Sequence, residues 1–136
     1  MANEYDAKFS AQYVVATCLV KGVFGLSELV DSALRDADVL ALAVRIDCLP
    51  DPDAHYPTYF SGGVEIHLHD GRVLRHHEVV NRGAGDRALS AKEIEQKYFD
   101  NALLAVRRSR ATDIRDAILS LDSISEVEFA RVLALP

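Results

Sequence analysis

Val64-Glu65-Ile66-His67-Leu68-His69-Asp70-Gly71-Arg72 is the stretch on which the fold class turns. Val64, Ile66 and Leu68 alternate with Glu65, His67 and His69, which is the period of a strand with one apolar face. Asp70-Gly71 supplies a turn, and Arg72 to Val80 returns. A two-residue turn would set Ile66 opposite Arg75 and put a charge on the apolar face. A three-residue turn, His69-Asp70-Gly71 with Gly71 left-handed, sets Ile66 opposite Leu74 and Glu65 opposite Arg75. The second register keeps the apolar face intact and adds an opposite-charge pair. It predicts an antiparallel hairpin closed by a three-residue turn with a bulge.

Helical signals flank the hairpin on both sides. Ser10 to Lys21 carries Val14, Val15, Ala16, Cys18, Leu19 and Val20 with almost no polar face, so a buried helix is expected there. Gly22 is placed to end it. Gly25 precedes a short turn-rich helix around Ser27 to Asp31, and Asp36 can cap a helix from Ala37 to about Ala43. Val44-Arg45-Ile46-Asp47-Cys48-Leu49 alternates and reads as a third strand, ended by Pro50 and Pro52. Downstream, Ser90-Ala91-Lys92-Glu93 is a capping box opening a helix through about Arg107. Thr112 can cap the next helix, and Ser123-Ile124-Ser125-Glu126 reads as a second box before a helix to about Leu133. Helices, strands, then helices predict an α+β fold, with a small antiparallel sheet covered by helices and one sheet edge open.

The 136 residues suit one domain spanning 1–136, with 49% hydrophobic and 26% charged residues, as in ordinary globular chains. A formal charge of −6 with scattered Lys and Arg argues against a nucleic-acid partner. No stretch approaches the roughly 20 apolar residues that span a bilayer, and Met1 to Asp6 lacks the apolar core of a signal peptide. No membrane partner and a cytoplasmic location are the expectations. Two cysteines, Cys18 and Cys48, are too few for a disulfide framework and read as buried free thiols.

Candidate chemistry gathers at Ala7-Lys8-Phe9-Ser10-Ala11-Gln12-Tyr13, where a cation, a hydroxyl and a phenol stand beside a helix N-terminus. Unpaired N–H groups and the helix dipole attract carboxylates and phosphates to such a place. Lys8 and Ser10 are candidate carboxylate contacts, although Lys8 also reads as a surface charge and Ser10 as a plain N-cap. His67, His69, His76 and His77 invite a metal reading, but the hairpin register puts His76 opposite Val64 on the other face from His67 and His69. Three converging ligands are therefore hard to build. Gly83-Ala84-Gly85-Asp86 lacks the further residues of a phosphate loop.

With these elements placed, the chain resembles the C-terminal domain of the MmgE/PrpD family, which includes 2-methylcitrate dehydratases, cis-aconitate decarboxylases and an iminodisuccinate epimerase. Four pieces carry the resemblance in family order: Ala7 to Ala16, Asp36 to Ala43, Val64 to Arg72, and Leu89-Ser90 with Glu93 to Phe99. The resemblance implies an enzyme of two domains, with a large helical N-terminal domain that holds most acid–base residues and is absent from this chain. It implies small polycarboxylate substrates, proton removal alpha to a carboxylate, and no metal or organic cofactor. Tyr13 holds the position of a Tyr that lines the family pocket, so a catalytic phenol and a buried structural Tyr both remain open for it. Ala88 stands where the family has Pro.

Two functions follow as expectations. One is the C-terminal domain or split subunit of a polycarboxylate dehydratase, decarboxylase or epimerase, inactive without a helical partner. The other is a non-catalytic module that associates with itself or regulates a relative.

Overall fold

The structure, a computed structural model, describes residues 3–134 and resolves into two compact units, residues 1–79 and 80–136. Each is α-helical, and the first also holds the sheet, joined to its helices by the long irregular segment 44–61, so the α+β class holds.

The first unit opens with α1 (Glu4–Lys8), a short helix that the hydrophobic pattern does not show. Asn3 caps it by accepting the Asp6 N–H at 2.9 Å. α2 (Ala11–Lys21) follows as expected, with Ser10 as N-cap and Gly22 left-handed at its end. Glycine takes that conformation without the steric cost other residues pay. A 3-10 turn at Leu26–Leu29 and α3 (Asp31–Leu34) replace the single short helix expected there. α4 (Ala37–Ala43) starts at Asp36, whose carboxylate accepts the N–H groups of Asp38 and Val39 at 3.0 and 3.2 Å. Its other oxygen lies 2.5 Å from Lys21 Nζ, tying the end of α2 to the start of α4. The Lys21 ammonium is the main reason the Asp36 carboxyl sits below the usual range.

The expectation of a buried α2 is corrected. Tyr13, Ala16 and Thr17 are buried, while Cys18, Leu19 and Val20 are exposed. A single unit of this size covers only one stripe of the helix, so apolar residues off that stripe face outward. The thiols share this fate: Cys18 and Cys48 are both exposed. The buried stripe packs Tyr13 and Ala16 with Ala7, Leu29, Leu34 and Val39, and Phe24, Leu42 and Ile46 close around them. Tyr13 and Phe24 meet edge to face at 6.2 Å between centroids.

The expected third strand at Val44–Leu49 is also corrected: Val44 and Arg45 form a turn and residues 46–50 are irregular. The N–H groups of Val44, Arg45 and Ile46 are spent on the carbonyls of Leu40, Leu42 and Ala43. These bonds wind the chain off the end of α4, and a ladder cannot use the same donors.

The hairpin stands as the sequence predicts. β1 (Gly62–His67) and β2 (Val73–Glu78) are antiparallel, with Ile66 opposite Leu74, Glu65 opposite Arg75 and Val64 opposite His76. Gly71 is left-handed at φ 85°, its N–H bonds to the Leu68 carbonyl, and Leu68 N–H reaches the Arg72 carbonyl at 2.9 Å. Most residues of both strands are exposed, with Ile66, Val73 and Glu78 half-buried.

The second unit contains α5 (Ala91–Ala102), α6 (Arg108–Leu119) and α7 (Glu126–Leu133). Ser90 and Glu93 form the expected capping box. The helix stops five residues short of Arg107 because the chain turns at residues 103–106, and Val106 N–H closes on Ala102. No glycine or proline marks this stop. The turn brings the Tyr98 hydroxyl onto the Ala111 carbonyl at 2.7 Å, a contact a continuous helix would forbid. α6 accordingly begins at Arg108 with Arg107 at its cap position, not at Thr112. The second box is Ser125 with Glu128, two residues later than expected, since Ser123 instead donates its hydroxyl to the Ser120 carbonyl.

Candidate functional site

The α1–α2 junction carries the three residues singled out by sequence. Lys8 ends α1, is exposed, and has no ion pair among the described residues. Ser10 Oγ accepts the Tyr13 N–H at 3.2 Å and donates to Gln12 Oε1 at 3.3 Å. That cap satisfies one donor of the first turn. The N–H groups of Ala11 and Gln12 have no hydrogen-bond partner among the described residues. An exposed cation and open N–H groups at the head of an eleven-residue helix can hold a carboxylate.

Tyr13 lies behind this surface. Its side chain is 0% exposed, and its hydroxyl faces the carbonyls of Glu28 at 2.9 Å and Ala33 at 3.2 Å. These two acceptors belong to the 3-10 turn and to α3. The phenol thereby closes the far side of the core around α2, with its proton directed at main chain.

A second constellation lies in the same unit and joins the expected Glu65–Arg75 pair and hairpin histidines to a segment distant in sequence. A concavity of about 1040 Å³ opens among the hairpin, α2, α4 and the segment that follows α4. Val15, Leu19 and Leu42 are among its apolar lining, and Glu65, Arg75 and His77 among its charged lining. Glu65 is the hub of the charged part, 2.5 Å from Arg75 Nε across the strands and 2.7 Å from His67 Nε2 along its own strand. Arg75 is the chief reason the Glu65 carboxyl lies below the usual range. His77 Nε2 meets Asp51 at 3.0 Å, and that bond is the largest cause of the lowered Asp51 pKa. His76 pairs with Glu78 at 2.7 Å on the opposite face.

Each hairpin histidine that has a partner thus has a carboxylate of its own. Ionised carboxylates only accept, so Nε2 of each ring is the donor in these contacts. Among the described residues, no three His, Cys, Asp or Glu side chains gather as a metal-holding group. The Asp51–His77 pair is separated by 26 residues and carries no local signal. Only the position of the segment after α4 brings it together. Gly63 belongs to the same arrangement, because a Cβ there would stand 3.0 Å from the His77 ring.

No helix among the described residues is long and apolar enough to cross a membrane. The family described as MmgE/PrpD C-terminal domain matches residues 1–123, nearly the whole sequence, and the chain belongs to that family. No curated protein matches the chain.

Proposed function

We propose that this chain is the C-terminal domain, or a separately encoded subunit, of a dehydratase, decarboxylase or epimerase acting on a small polycarboxylate, and that it is inactive alone. Membership of the MmgE/PrpD C-terminal family over residues 1–123 carries this reading. The chemistry begins with removal of a proton alpha to a carboxylate, which requires a base and groups that hold the carboxylate's growing charge. In this reading Lys8, Ser10 and the open N–H groups of α2 bind one substrate carboxylate. Tyr13 is the catalytic phenol, and a helical partner supplies the remaining acid–base groups and the other wall of the pocket. To act on substrate, the Tyr13 hydroxyl has to turn from the Glu28 and Ala33 carbonyls when the partner docks.

One observation favours a second reading, a non-catalytic module that self-associates or regulates a relative. Tyr13 is wholly buried and its hydroxyl is already committed to main chain, as in a structural tyrosine.

Recovery of the chain from its native lysate, followed by proton exchange of 2-methylcitrate in deuterated water, tests both. Exchange or turnover by the recovered helical complex, lost with Tyr13→Phe while assembly persists, is the expected result. Full turnover by the isolated chain contradicts the need for a partner. Recovery of the chain alone, with no exchange, selects the non-catalytic reading.

A further inference from the structure

Of the hairpin histidines that hold a carboxylate, His77 is the most firmly held and the least exposed. The His77 and Asp51 side chains are 41% and 28% exposed, against 72% and 42% for His67 and Glu65 and 72% and 38% for His76 and Glu78. Asp51 is itself fixed, because its Oδ1 accepts the Asp53 N–H at 2.9 Å while its Oδ2 meets His77 Nε2 at 3.0 Å. Gly63 lies on the Cδ2 side of the ring, so close that a Cβ there would stand 3.0 Å from that carbon. Two edges of the imidazole are thus occupied. Nδ1, on the remaining edge, has no hydrogen-bond partner among the described residues.

A carboxylate that holds one ring nitrogen orients the imidazole and favours its protonated form, and in the neutral ring the lone pair then stands on the other nitrogen. This is the relation between a general base and the acid that positions it. His77 lines the concavity together with the apolar side chains of Val15, Leu19 and Leu42. Arg45 lines it too, and its guanidinium has no ion pair among the described residues, whereas Arg75 is paired with Glu65. Among the described residues of that lining there is no Ser, Thr, Cys, Lys or Tyr. A base placed here has no nucleophilic side chain to activate, so the group it can deprotonate is water.

We propose that His77, positioned by Asp51, is the general base of a second site in this unit, one that hydrolyses small esters with an apolar acyl group. Nδ1 takes a proton from a water molecule as the water oxygen bonds to the ester carbonyl carbon. The carbon–oxygen bond to the leaving group then breaks, and the imidazolium returns the proton to the departing alkoxide. The acyl group lies against Val15, Leu19 and Leu42, and Arg45 meets the charge that builds on the carbonyl oxygen. Other charged groups surround the ring. Glu65, Arg75 and His67 share its face of the hairpin, Asp47 lines the same concavity, and the charge of His55 acts on Asp51. The reaction is separate from the polycarboxylate chemistry, uses none of Lys8, Ser10 and Tyr13, and needs no partner.

Hydrolysis of p-nitrophenyl butyrate by the full chain tests this, in a Cys18→Ser, Cys48→Ser background because the exposed thiols would take the acyl group themselves. The rate per mole is expected to exceed that of free imidazole at the same pH and to be slower in deuterium oxide. His77→Gln is expected to lower it roughly tenfold or more. His76→Gln, whose ring also holds a carboxylate, is expected to leave it nearly unchanged. Asp51→Asn removes the charge that favours the imidazolium, so the rate should fall and the midpoint of its pH profile should move down. A rate no better than free imidazole, an equal rate in deuterium oxide, no loss in His77→Gln, equal losses at His76 and His77, or an unmoved midpoint in Asp51→Asn overturns the proposal. The comparison with free imidazole and the isotope effect need no histidine or aspartate variant to fold. Neither involves polycarboxylate turnover, so this proposal and the reading above fail separately.

Discussion

Residues 1–79 and residues 80–136 keep short helices in place by different means. The first unit buries a contiguous cluster in which Tyr13, Leu34 and Val39 are large side chains. Among the described residues of the second, the buried hydrophobics are Ala111 and Ala117, and Ile94, Leu104, Leu121 and Val127 stay exposed. There the helices rest on directional contacts: two capping boxes, the Tyr98–Ala111 bond, and Arg115 set between Glu95 and Asp116. Arg115 and Arg108 also lie 5.5 and 5.3 Å from the Phe99 ring centroid. Burial is non-directional and scales with area, whereas capping and ion pairs each add about a kilocalorie or less. The first unit should therefore fail through packing defects and the second through loss of single polar groups.

The sharpest break of that contrast is Leu34→Ala, which empties part of the first core. It is expected to cost about 2–4 kcal/mol in urea unfolding, while Ile94→Ala in the second unit stays within about 0.5 kcal/mol. Equal costs would erase the distinction. Tyr13→Phe keeps the ring but leaves the Glu28 and Ala33 carbonyls without their hydroxyl donor. A loss of about 1–3 kcal/mol is expected from the urea midpoint, and no loss would release the phenol from a structural duty. Ser90→Ala removes the N-cap of α5 and should cost about 1 kcal/mol, read as earlier melting of the second unit by amide exchange.

The smallest effect is acid sensitivity. The Ser90 hydroxyl and N–H, then Arg82, hold the Glu93 carboxyl down from its ordinary 4.5 to about 2. A carboxyl whose folded pKa is depressed contributes stability fully above its unfolded pKa and loses it as pH falls toward the folded value. Protection of the α5 amides should therefore decline between pH 4.5 and about 2. In Ser90→Ala the decline should be shallower, and an unchanged profile would remove the box from the account.

Legibility followed the range of the interaction. The hairpin register was readable because alternation, turn length and the Glu65–Arg75 pair are all local and agree. Asp36, Gly22 and Ser90 were readable as caps for the same reason. The strand expected at Val44–Leu49 failed although its alternation is real, because Val44, Arg45 and Ile46 give their N–H groups to the end of α4. The stop of α5 at Ala102 has no breaker residue, and only its packing against α6 explains it. At the α1–α2 junction, Lys8, Ser10 and Tyr13 are candidates from their place at a helix start, and Tyr13 also from the family resemblance. Their spacing did not show that Tyr13 points its hydroxyl into the core, since Glu28 and Ala33 lie 15 and 20 residues away. The Asp51–His77 pair was invisible for a similar reason.

By itself, the sequence determined the α+β class, the hairpin with its register, the principal caps and membership of the MmgE/PrpD family. Periodicity and capping act within a few residues, and the ordered pieces that mark the family are contiguous in the chain. Tertiary structure decided which stripe of α2 is buried, where α5 ends, that both cysteines are exposed, and that the hairpin's charged face shares a concavity with the segment after α4. Each of these depends on what lies beside a residue in space, and chain distance carries no record of it.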